Sequence, residues 1–235
     1  SLGVLSTGAA REYNSMILQT PFKDGSLKPT ARASVVPAGF PKPAAGCPQE
    51  NDVYDVADLR VELKVPANAK GIGFDFNFYS SEWPDFVCTP FNDSFIAYLS
   101  SKAFNGGKPD NISFDAKKNP VSVNNGFFDI CSSSSITACG QDLSSTHPGA
   151  CAQGPNELGG TGFGLSLPFC GKQDLGGGAT GWLTSQAPVT PGEVVTIDFM
   201  IWNTGDQDLD SVVLLDNFRF EAGETTVSTS RPPPR

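Results

Sequence analysis

The chain has 235 residues and a formal net charge of −9, an acidic balance that disfavours nucleic acid and anionic membranes as partners. Its 25 Gly, 19 Pro and 17 Phe residues are typical of a turn-rich, β-dominated protein. No apolar run approaches the roughly 18 residues of a membrane-spanning helix. We therefore expect an all-β protein with no membrane span and no nucleic-acid partner.

The chain divides into an irregular start, a regular body and a short tail. Residues 1–50 are poorly periodic and rich in Pro, Ala and Gly. Because each Pro disfavours helix in itself and in the residue before it, we predict an extended N-terminal segment that packs on the body. A short helix is predicted over residues 8–18. Residues 51–220 are predicted to form one domain, and residues 221–235 a tail that docks on the body or on a neighbour.

Alternation of apolar and polar residues predicts strands throughout the body. In "GIGFDFNFYS", for example, Phe74, Phe76 and Phe78 lie on one side of the strand and Asp75 and Asn77 on the other. The predicted strands are residues 58–65, 71–80, 93–100, 111–116, 121–128, 194–203 and 211–220. The last two are apolar on both faces and are predicted to be central. This pattern predicts an antiparallel β-sandwich of jelly-roll type.

A long stretch rich in Ser, Gly, Cys and Pro separates the early strands from the late ones. At about residues 131–181 it is too long for a bare loop in a compact domain, so we predict an insertion stapled by disulfides. The first residues, "SLGVL", lack the basic start and long apolar run of a signal peptide. We therefore expect a mature form whose leader has been removed.

The cysteines predict disulfides and an oxidising compartment. There are six of them, none in a CxxC pair, and His147 is the only histidine, which disfavours zinc. An even number at wide spacing indicates three disulfides in a secreted protein. Six cysteines allow fifteen connectivities. Short spacing suggests one of these, Cys131–Cys139, Cys151–Cys170 and Cys47–Cys88.

An acidic turn precedes the last predicted strand. Asp206, Asp208 and Asp210 alternate beside the apolar run Val212–Leu215, and no Lys or Arg occurs between residues 196 and 218. Carboxylates this close repel one another unless they splay into water or a cation lies among them. Ca²⁺ accepts about six to eight oxygen ligands in irregular geometry. The alternative is a solvated, Asp-rich hairpin turn.

A second acidic segment strengthens the calcium interpretation. Residues 79–99 place Glu82, Asp85, Asn92 and Asp93 among large aromatic residues, where uncompensated carboxylates are costly. If the two segments meet at one end of the sandwich, they supply the oxygens for one structural Ca²⁺. The alternative is that Asn92 and Asp93 cap turns. The predicted metal ligands are Glu82, Asn92, Asp93, Asp206, Asp208 and Asp210.

Three ordered blocks of the chain resemble the choice-of-anchor L domain, a family of secreted bacterial domains. They are "FDFNFYSSEWPDFVCTPFNDSFIAYLS", "NISFD…NPVSVNN" and "GWLTSQAPVTPGEVVTIDFMIWNTGDQDLDSVVLLDNFRF". The likeness covers about residues 50–220 and includes Glu82, Asp93 and Asp206. Asn203 stands where the family often has Asp, and its amide still offers an oxygen. The resemblance implies an extracellular β-sandwich and no established activity.

Catalytic patterns are weak. His147 is the only candidate for a triad, and no Gly-x-Ser-x-Gly elbow surrounds any Ser. Glu82 and a late aspartate form a conceivable pair for glycoside hydrolysis, but carboxylates that hold a metal are poor proton donors. We therefore expect no catalytic residues, and a hydrolase is the third hypothesis.

The leading hypothesis is a non-enzymatic extracellular structural or adhesion domain that carries calcium and is a subunit of a surface or matrix assembly. Its partners would be further copies of itself or other surface proteins. The alternative is a calcium-dependent carbohydrate-binding module, in which Trp83 and Trp182 stack on a glycan. Both hypotheses place the protein outside the cell or on its surface.

Overall fold

The computed structural model of the chain describes residues 2–8, 36–83, 86–128, 137–138, 141–142, 158, 161, 163, 165–167, 174–207 and 209–232. The strands in these ranges are β1 (Gly3–Ser6), β2 (Val53–Lys64), β3 (Gly71–Ser80), β4 (Ser94–Ser100), β5 (Asp110–Asn111), β6 (Val121–Ser122), β7 (Thr137–Ala138), β8 (Gln141–Asp142), β9 (Leu165–Leu167), β10 (Asp174–Gly176), β11 (Gly178–Ala179), β12 (Leu183–Pro188), β13 (Val194–Thr204), β14 (Ser211–Glu221) and β15 (Ser228–Ser230). One short 3-10 helix, Asn105–Gly107, accompanies them.

The strands form two antiparallel sheets, which we call sheet A and sheet B. Sheet A has the order β1-β14-β3-β12-β15, with β11 paired to the end of β3. Sheet B has the order β2-β13-β4-β5, with β6 also paired to β4. The strand pairs β7–β8 and β9–β10 form two short ribbons apart from these sheets. The all-β, antiparallel sandwich predicted from the sequence is confirmed.

The hydrophobic core lies between the sheets and is rich in phenylalanine. Alternate residues of a strand face the same side, and Phe74 and Phe76 of β3 are buried in this core. Phe74 packs edge to face on Phe199 of β13, with ring centroids 4.9 Å apart, and Phe76 lies 5.2 Å from Phe95 of β4. Burial of one such ring contributes roughly 1.5–3 kcal/mol, so these contacts hold the sheets together.

The central strands are also covered on their outer faces. On β3, the ring of Tyr79 lies 5.3 Å from that of Phe163. On β13, Trp202 is fully buried beside Val36, and the ring of Phe40 lies 6.2 Å away. The N-terminal segment therefore covers sheet B.

The N-terminal segment is held by a disulfide and a hydrogen bond. The predicted Cys47–Cys88 disulfide is confirmed, with a Cα–Cα distance of 4.8 Å. The backbone N–H of Ala45 donates to Oδ1 of Asn119 at 3.0 Å. The predicted helix over residues 8–18 and the cysteines of the other two predicted pairs lie outside the described residues, save Gly8.

Two predicted strands, residues 111–116 and 121–128, are much shorter than expected. Only the two-residue strands β5 and β6 form there. The carboxylate of Asp115 accepts hydrogen bonds from the backbone N–H groups of Lys117 and Asn119 at 2.8 and 2.9 Å. A side chain that accepts these hydrogen bonds takes the backbone N–H groups that a neighbouring strand would otherwise use. The chain therefore forms a turn here and not a longer strand.

The C-terminal tail docks on the same chain. Strand β15 pairs with β12 through the partners Thr229 and Ser185. The guanidinium of Arg231 then donates to the backbone carbonyls of Thr180 and Phe127, at 2.5 and 2.7 Å. The tail therefore completes one edge of sheet A.

Candidate functional site

The sheet topology brings the two acidic segments to one end of the sandwich. Strand β3 ends beside the start of β14, where Ser80 pairs with Ser211. Strand β13 ends beside the start of β4, where Trp202 pairs with Ser94. Because these neighbours are antiparallel, the β3–β4 loop and the β13–β14 turn lie at the same end.

Direct hydrogen bonds join the loop to the turn. The hydroxyl of Ser211 donates to Oδ2 of Asp93 at 2.6 Å. The hydroxyl of Ser81 donates to the backbone carbonyl of Asp210 at 2.9 Å. The structure therefore brings together residues that are more than one hundred positions apart in the sequence.

Four of the predicted ligands form an acidic cluster, in which Glu82, Asp93 and Asp210 are buried and Asp206 is half-buried. Glu82 and Asp93 are 2% and 1% exposed, and the backbone N–H of Asp93 donates to Oε2 of Glu82 at 2.9 Å. Burial, helped by the charge of Asp206, raises the pKa of Glu82 to about 8. Burial also raises the pKa of Asp93 well above its usual range, together with the charges of the other three acids. Among the described residues, the charged neighbours that act on the two pKa values are carboxylates.

The amide of Asn203 lies against this cluster. One terminal atom of the fully buried amide is 2.9 Å from Oδ2 of Asp93 and 2.7 Å from Oγ1 of Thr7. Because its neighbours there are acceptors, that atom is the amide nitrogen, which donates hydrogen bonds to the carboxylate of Asp93 and to the hydroxyl oxygen of Thr7.

The N-terminal strand closes the acidic cluster. The backbone N–H of Thr7 donates to the carbonyl of Ser211 at 3.0 Å, and the N–H of Ser211 donates to Oγ1 of Thr7 at 2.8 Å. A Cβ on Gly8 would clash with the carboxylate of Asp210, so a larger residue does not fit there. Sequence reasoning missed these two residues, because no local pattern indicates that residues 7–8 reach residues 210–211.

The sequence model of the Choice-of-anchor L domain matches residues 4–221. The chain belongs to the choice-of-anchor L domain family. The resemblance noted in the sequence is thereby confirmed over most of the chain. Searches of curated proteins and of solved structures returned no match.

Family membership indicates a surface-associated or secreted protein, and choice-of-anchor L is not a known enzyme family. The matched region runs from β1 to the end of β14, so both sides of the acidic cluster belong to the choice-of-anchor L domain. In the described ranges, no helix has the length and hydropathy needed to cross a membrane.

Two predicted ligands remain, Asn92 and Asp208, and the structure describes only the first of them. Asn92 is buried, and its amide nitrogen donates to Oε1 of Gln49 at 3.2 Å. Its Oδ1 has no hydrogen-bond partner among the described residues. Asp208 lies outside the described residues.

The predicted glycan-stacking role of Trp83 is wrong for this structure. Trp83 has no exposed surface, and its ring packs on Phe128 with centroids 5.1 Å apart. Trp83 belongs to the main hydrophobic core, which is why its side chain is withdrawn from solvent. Trp182 is half-buried.

The donor chemistry of the cluster suits calcium. Within the described ranges, no three Asp, Glu, His or Cys side chains are gathered as in a formed metal centre. The donors that the cluster offers are the carboxylates of Glu82, Asp93, Asp206 and Asp210. Carboxylate oxygens suit Ca²⁺ or Mg²⁺ rather than Zn²⁺. The calcium ion expected from the sequence stays a prediction.

Proposed function

We propose that this choice-of-anchor L domain is a non-enzymatic extracellular structural or adhesion domain whose fold is stabilised by one bound calcium ion. The observation that supports this proposal is the pair of buried acids, Glu82 and Asp93, whose charged neighbours in the part of the chain that the structure describes are further acids. An ionised carboxylate without a counter-charge costs several kcal/mol to bury. A divalent cation offsets that cost for more than one carboxylate.

The ion would have a structural role. Bound among Glu82, Asp93 and Asp206, it would join the β3–β4 loop to the β13–β14 turn. These segments already share the hydrogen bond from Ser211 to Asp93, so the ion would reinforce an existing contact. Such a site holds a surface domain in one shape, which suits a subunit of an assembly or an adhesion domain.

Burial also argues against hydrolysis at these acids. A glycosidase must place both carboxyl groups against the sugar, whereas Glu82 and Asp93 are 2% and 1% exposed. His147, the only candidate for a triad, lies outside the described residues. The acidic cluster therefore supports a binding role for the ion rather than a catalytic one.

Calcium titration of the purified chain tests the proposal. We expect calorimetric binding of one Ca²⁺, with affinity in the range of extracellular modules, roughly 0.1–1 mM. Asp93→Asn should abolish this binding, whereas Glu62→Gln, at an exposed position on β2, should leave it unchanged. A wild-type chain that binds no Ca²⁺ at 10-fold above that range, about 10 mM, would overturn the proposal.

Glycan binding is the second candidate, and an open cleft of about 690 Å³ favours it. Phe40, Phe114, Asn105 and Asp110 are among its lining residues, which combine ring surfaces with polar groups. This combination is common in ligand pockets. A glycan array probed with wild type and with Phe114→Ala tests the idea, and equal signals from both would exclude this cleft.

A further inference from the structure

The C-terminal strand β15 lies in a groove at the edge of the sandwich, which we call the tail groove. One wall of the groove is β12 of sheet A, with which β15 pairs from Gln186 beside Ser228 to Thr184 beside Ser230. The other wall is the segment 112–114, which follows β5 of sheet B and is hydrogen-bonded to Thr229. The tail therefore joins an edge of one sheet to a segment next to the other.

The hydroxyl of Thr229 fills a polar pocket in the tail groove. It donates to the backbone carbonyl of Ile112 and accepts from the backbone N–H of Phe114, both at 3.2 Å. Its Oγ1 also lies 2.8 Å from Oγ of Ser185, which is in turn 3.0 Å from Oγ of Ser113. Ser113 and Ser185 have no exposed surface. Every polar atom around the hydroxyl thus has a partner when Thr229 is in place.

Two further side chains of the tail make specific contacts with the groove. Nε2 of Gln186 donates to Oγ of Ser228 at 3.1 Å. The guanidinium of Arg231 donates to the carbonyls of Thr180 and Phe127, and it lies 5.9 Å from the centre of the Phe127 ring. Side chains at three positions of the tail are therefore recognised, so the groove is selective for the sequence Ser-Thr-x-Arg and not for any extended strand.

Polar contacts, rather than buried apolar surface, hold the tail in its groove. Val227 is the single apolar side chain in residues 227–231, and it is only partly buried against the core. A hydrogen bond contributes a net stabilisation of roughly 0.5–1.5 kcal/mol, because water replaces it when it breaks. The serines and carbonyls of the groove can likewise be solvated when the tail leaves. The tail is therefore a removable strand.

The tail and its connection to the sandwich lie outside the matched family region. The family model ends at residue 221, whereas both walls of the tail groove lie within the matched residues 4–221. In the connecting segment 222–227, residues 222–224 and 226 are exposed. The ion pair of Glu224 with Lys70 is exposed as well, and such pairs contribute little. This connection can change direction without disturbing the core, as hinge segments do when an element is exchanged between copies.

We propose that the tail groove is a strand-binding site for residues 228–231, and that it accepts this segment from a second copy of the chain as well as from its own tail. The inference builds on the proposed structural role, to which it adds the means of assembly, and it does not depend on calcium. Addition of a strand to a sheet edge is a recurrent mode of protein association. A chain whose tail occupies a neighbour's groove leaves its own groove open, so successive copies join head to tail.

The balance between the two docking modes depends on concentration. A strand on a short flexible connection has an effective concentration of about 1 mM at its own groove. The contacts within the groove are the same in both modes, so exchange between copies becomes appreciable near this concentration. Crowding of many copies on a surface or in a matrix would supply it.

Peptide binding to the full chain tests the tail groove directly. Thr229→Ala combined with Arg231→Ala removes the hydroxyl and the guanidinium that hold the tail, so the groove of this variant should be open. A fluorescent peptide of residues 224–232 should bind the variant at least tenfold more tightly than it binds wild type, whose groove is filled. The same peptide carrying both alanines is the matched control and should bind at least tenfold more weakly. Equal binding of the two peptides, or binding of neither, would overturn the groove as a site for this segment.

A pair of engineered cysteines tests exchange between copies with the recognised side chains intact. Thr184 and Ser230 are partners in the β12–β15 ladder, and the Cα atoms of such partners are about 4.5–5.5 Å apart, which suits a disulfide. Chains with Thr184→Cys mixed with chains with Ser230→Cys at about 1 mM should form a linked dimer, identified by mass spectrometry. Adding Arg231→Ala to the Ser230→Cys chain should lower its yield several-fold. If the dimer does not form, or forms equally with Arg231→Ala, exchange between copies is wrong even if the peptide binds.

This inference and the calcium proposal fail separately. If wild type binds no calcium, the metal proposal is wrong and both tail experiments keep their expected results. If the tail experiments fail, the calcium titration is unaffected, because the tail groove contains none of the predicted ligands.

Discussion

The two ends of the sandwich bury an acid in opposite ways. At one end, Glu82 lies among other carboxylates, and its pKa is raised to about 8, chiefly by burial. At the other end, Glu193 is 7% exposed. Its burial is outweighed by hydrogen bonds from the backbone N–H groups of Thr190 and Lys102 and from the hydroxyl of Ser101, which lower its pKa.

This comparison shows that burial alone does not indicate a metal. Glu193 has three donors at 2.7–2.9 Å and is stable as an anion without further help. Glu82 receives a backbone hydrogen bond from Asp93, but that residue brings a negative charge of its own. Glu193 is stable as an anion and joins its neighbouring loops through hydrogen bonds alone. Glu82 needs a proton or a cation to be stable in its buried position.

The largest expected effect is an opposite response to pH at the two ends. For Glu82, whose folded pKa is raised, stabilisation is complete below about pH 4.5 and is lost as pH rises through 8. For Glu193, whose folded pKa is lowered, stabilisation is present above its ordinary pKa and is lost as pH falls. Each proton changes the free energy of unfolding by up to about 1.4 kcal/mol per pH unit.

Differences between variants isolate these two contributions. In EDTA, the stability of wild type relative to Glu82→Gln should fall between pH 5 and pH 8, and added calcium should remove that fall. The stability of wild type relative to Glu193→Gln should stay level over this interval and shrink below it. Urea unfolding at each pH measures these differences. If both differences depend on pH in the same way, the contrast between the two ends is wrong.

Removal of the Glu193 carboxylate should have the next largest effect on stability. Glu193→Ala leaves buried donors without an acceptor, which should lower the free energy of unfolding by about 3 kcal/mol. The loss should be the same with calcium and with EDTA, because the residue is at the opposite end from the acidic cluster. Urea unfolding in both buffers measures it, and a calcium-dependent loss would link the two ends.

Loss of a charge at the acidic end should have the opposite sign. In EDTA, Asp93→Asn should raise the free energy of unfolding by about 1 kcal/mol, since it relieves repulsion among buried carboxylates. In calcium, the variant should be less stable than wild type. Thermal melts of both chains in EDTA and in calcium measure this reversal of the order of stability. If Asp93→Asn is less stable than wild type in both buffers, Asp93 has only a hydrogen-bonding role.

The smallest effect is expected for an exposed acid near the Glu193 end. Glu224 pairs with Lys70 at 2.6 Å, but its side chain is 83% exposed. Exposed ion pairs contribute up to about 1 kcal/mol, so Glu224→Gln should change stability by about 0.5 kcal/mol or less. A larger loss of stability in Glu224→Gln would show that the cost of removing a charge depends on the end of the sandwich at which it lies, and not on its burial.

The strands that could be predicted are those whose own sequences alternate. Strands β3 and β13 carry their apolar residues at every second position, and the sequence places both correctly. Strand β12, "LTSQAP", and strand β15, "STS", have little apolar content, and they form because a neighbouring edge offers hydrogen bonds. Alternation does not guarantee burial, because Leu59 on the edge strand β2 is 41% exposed.

The candidate site was predictable only in part, for a similar reason. Glu82 and Asp93 were identifiable because acidic residues among aromatic ones need compensation. Asn203 entered through the family resemblance. Thr7 and Gly8 were not identifiable, since their place in the cluster depends on the register between β1 and β14, which no local pattern specifies.

The disulfide between Cys47 and Cys88 has a mechanical consequence for a surface protein. Strand β1 precedes Cys47, whereas the rest of the sandwich follows it, and Cys88 belongs to the β3–β4 loop. Tension applied at the N-terminal side would therefore peel β1 away and then load a covalent bond. The strands between the two cysteines, β2 and β3, would be shielded from that pull because the disulfide bypasses them.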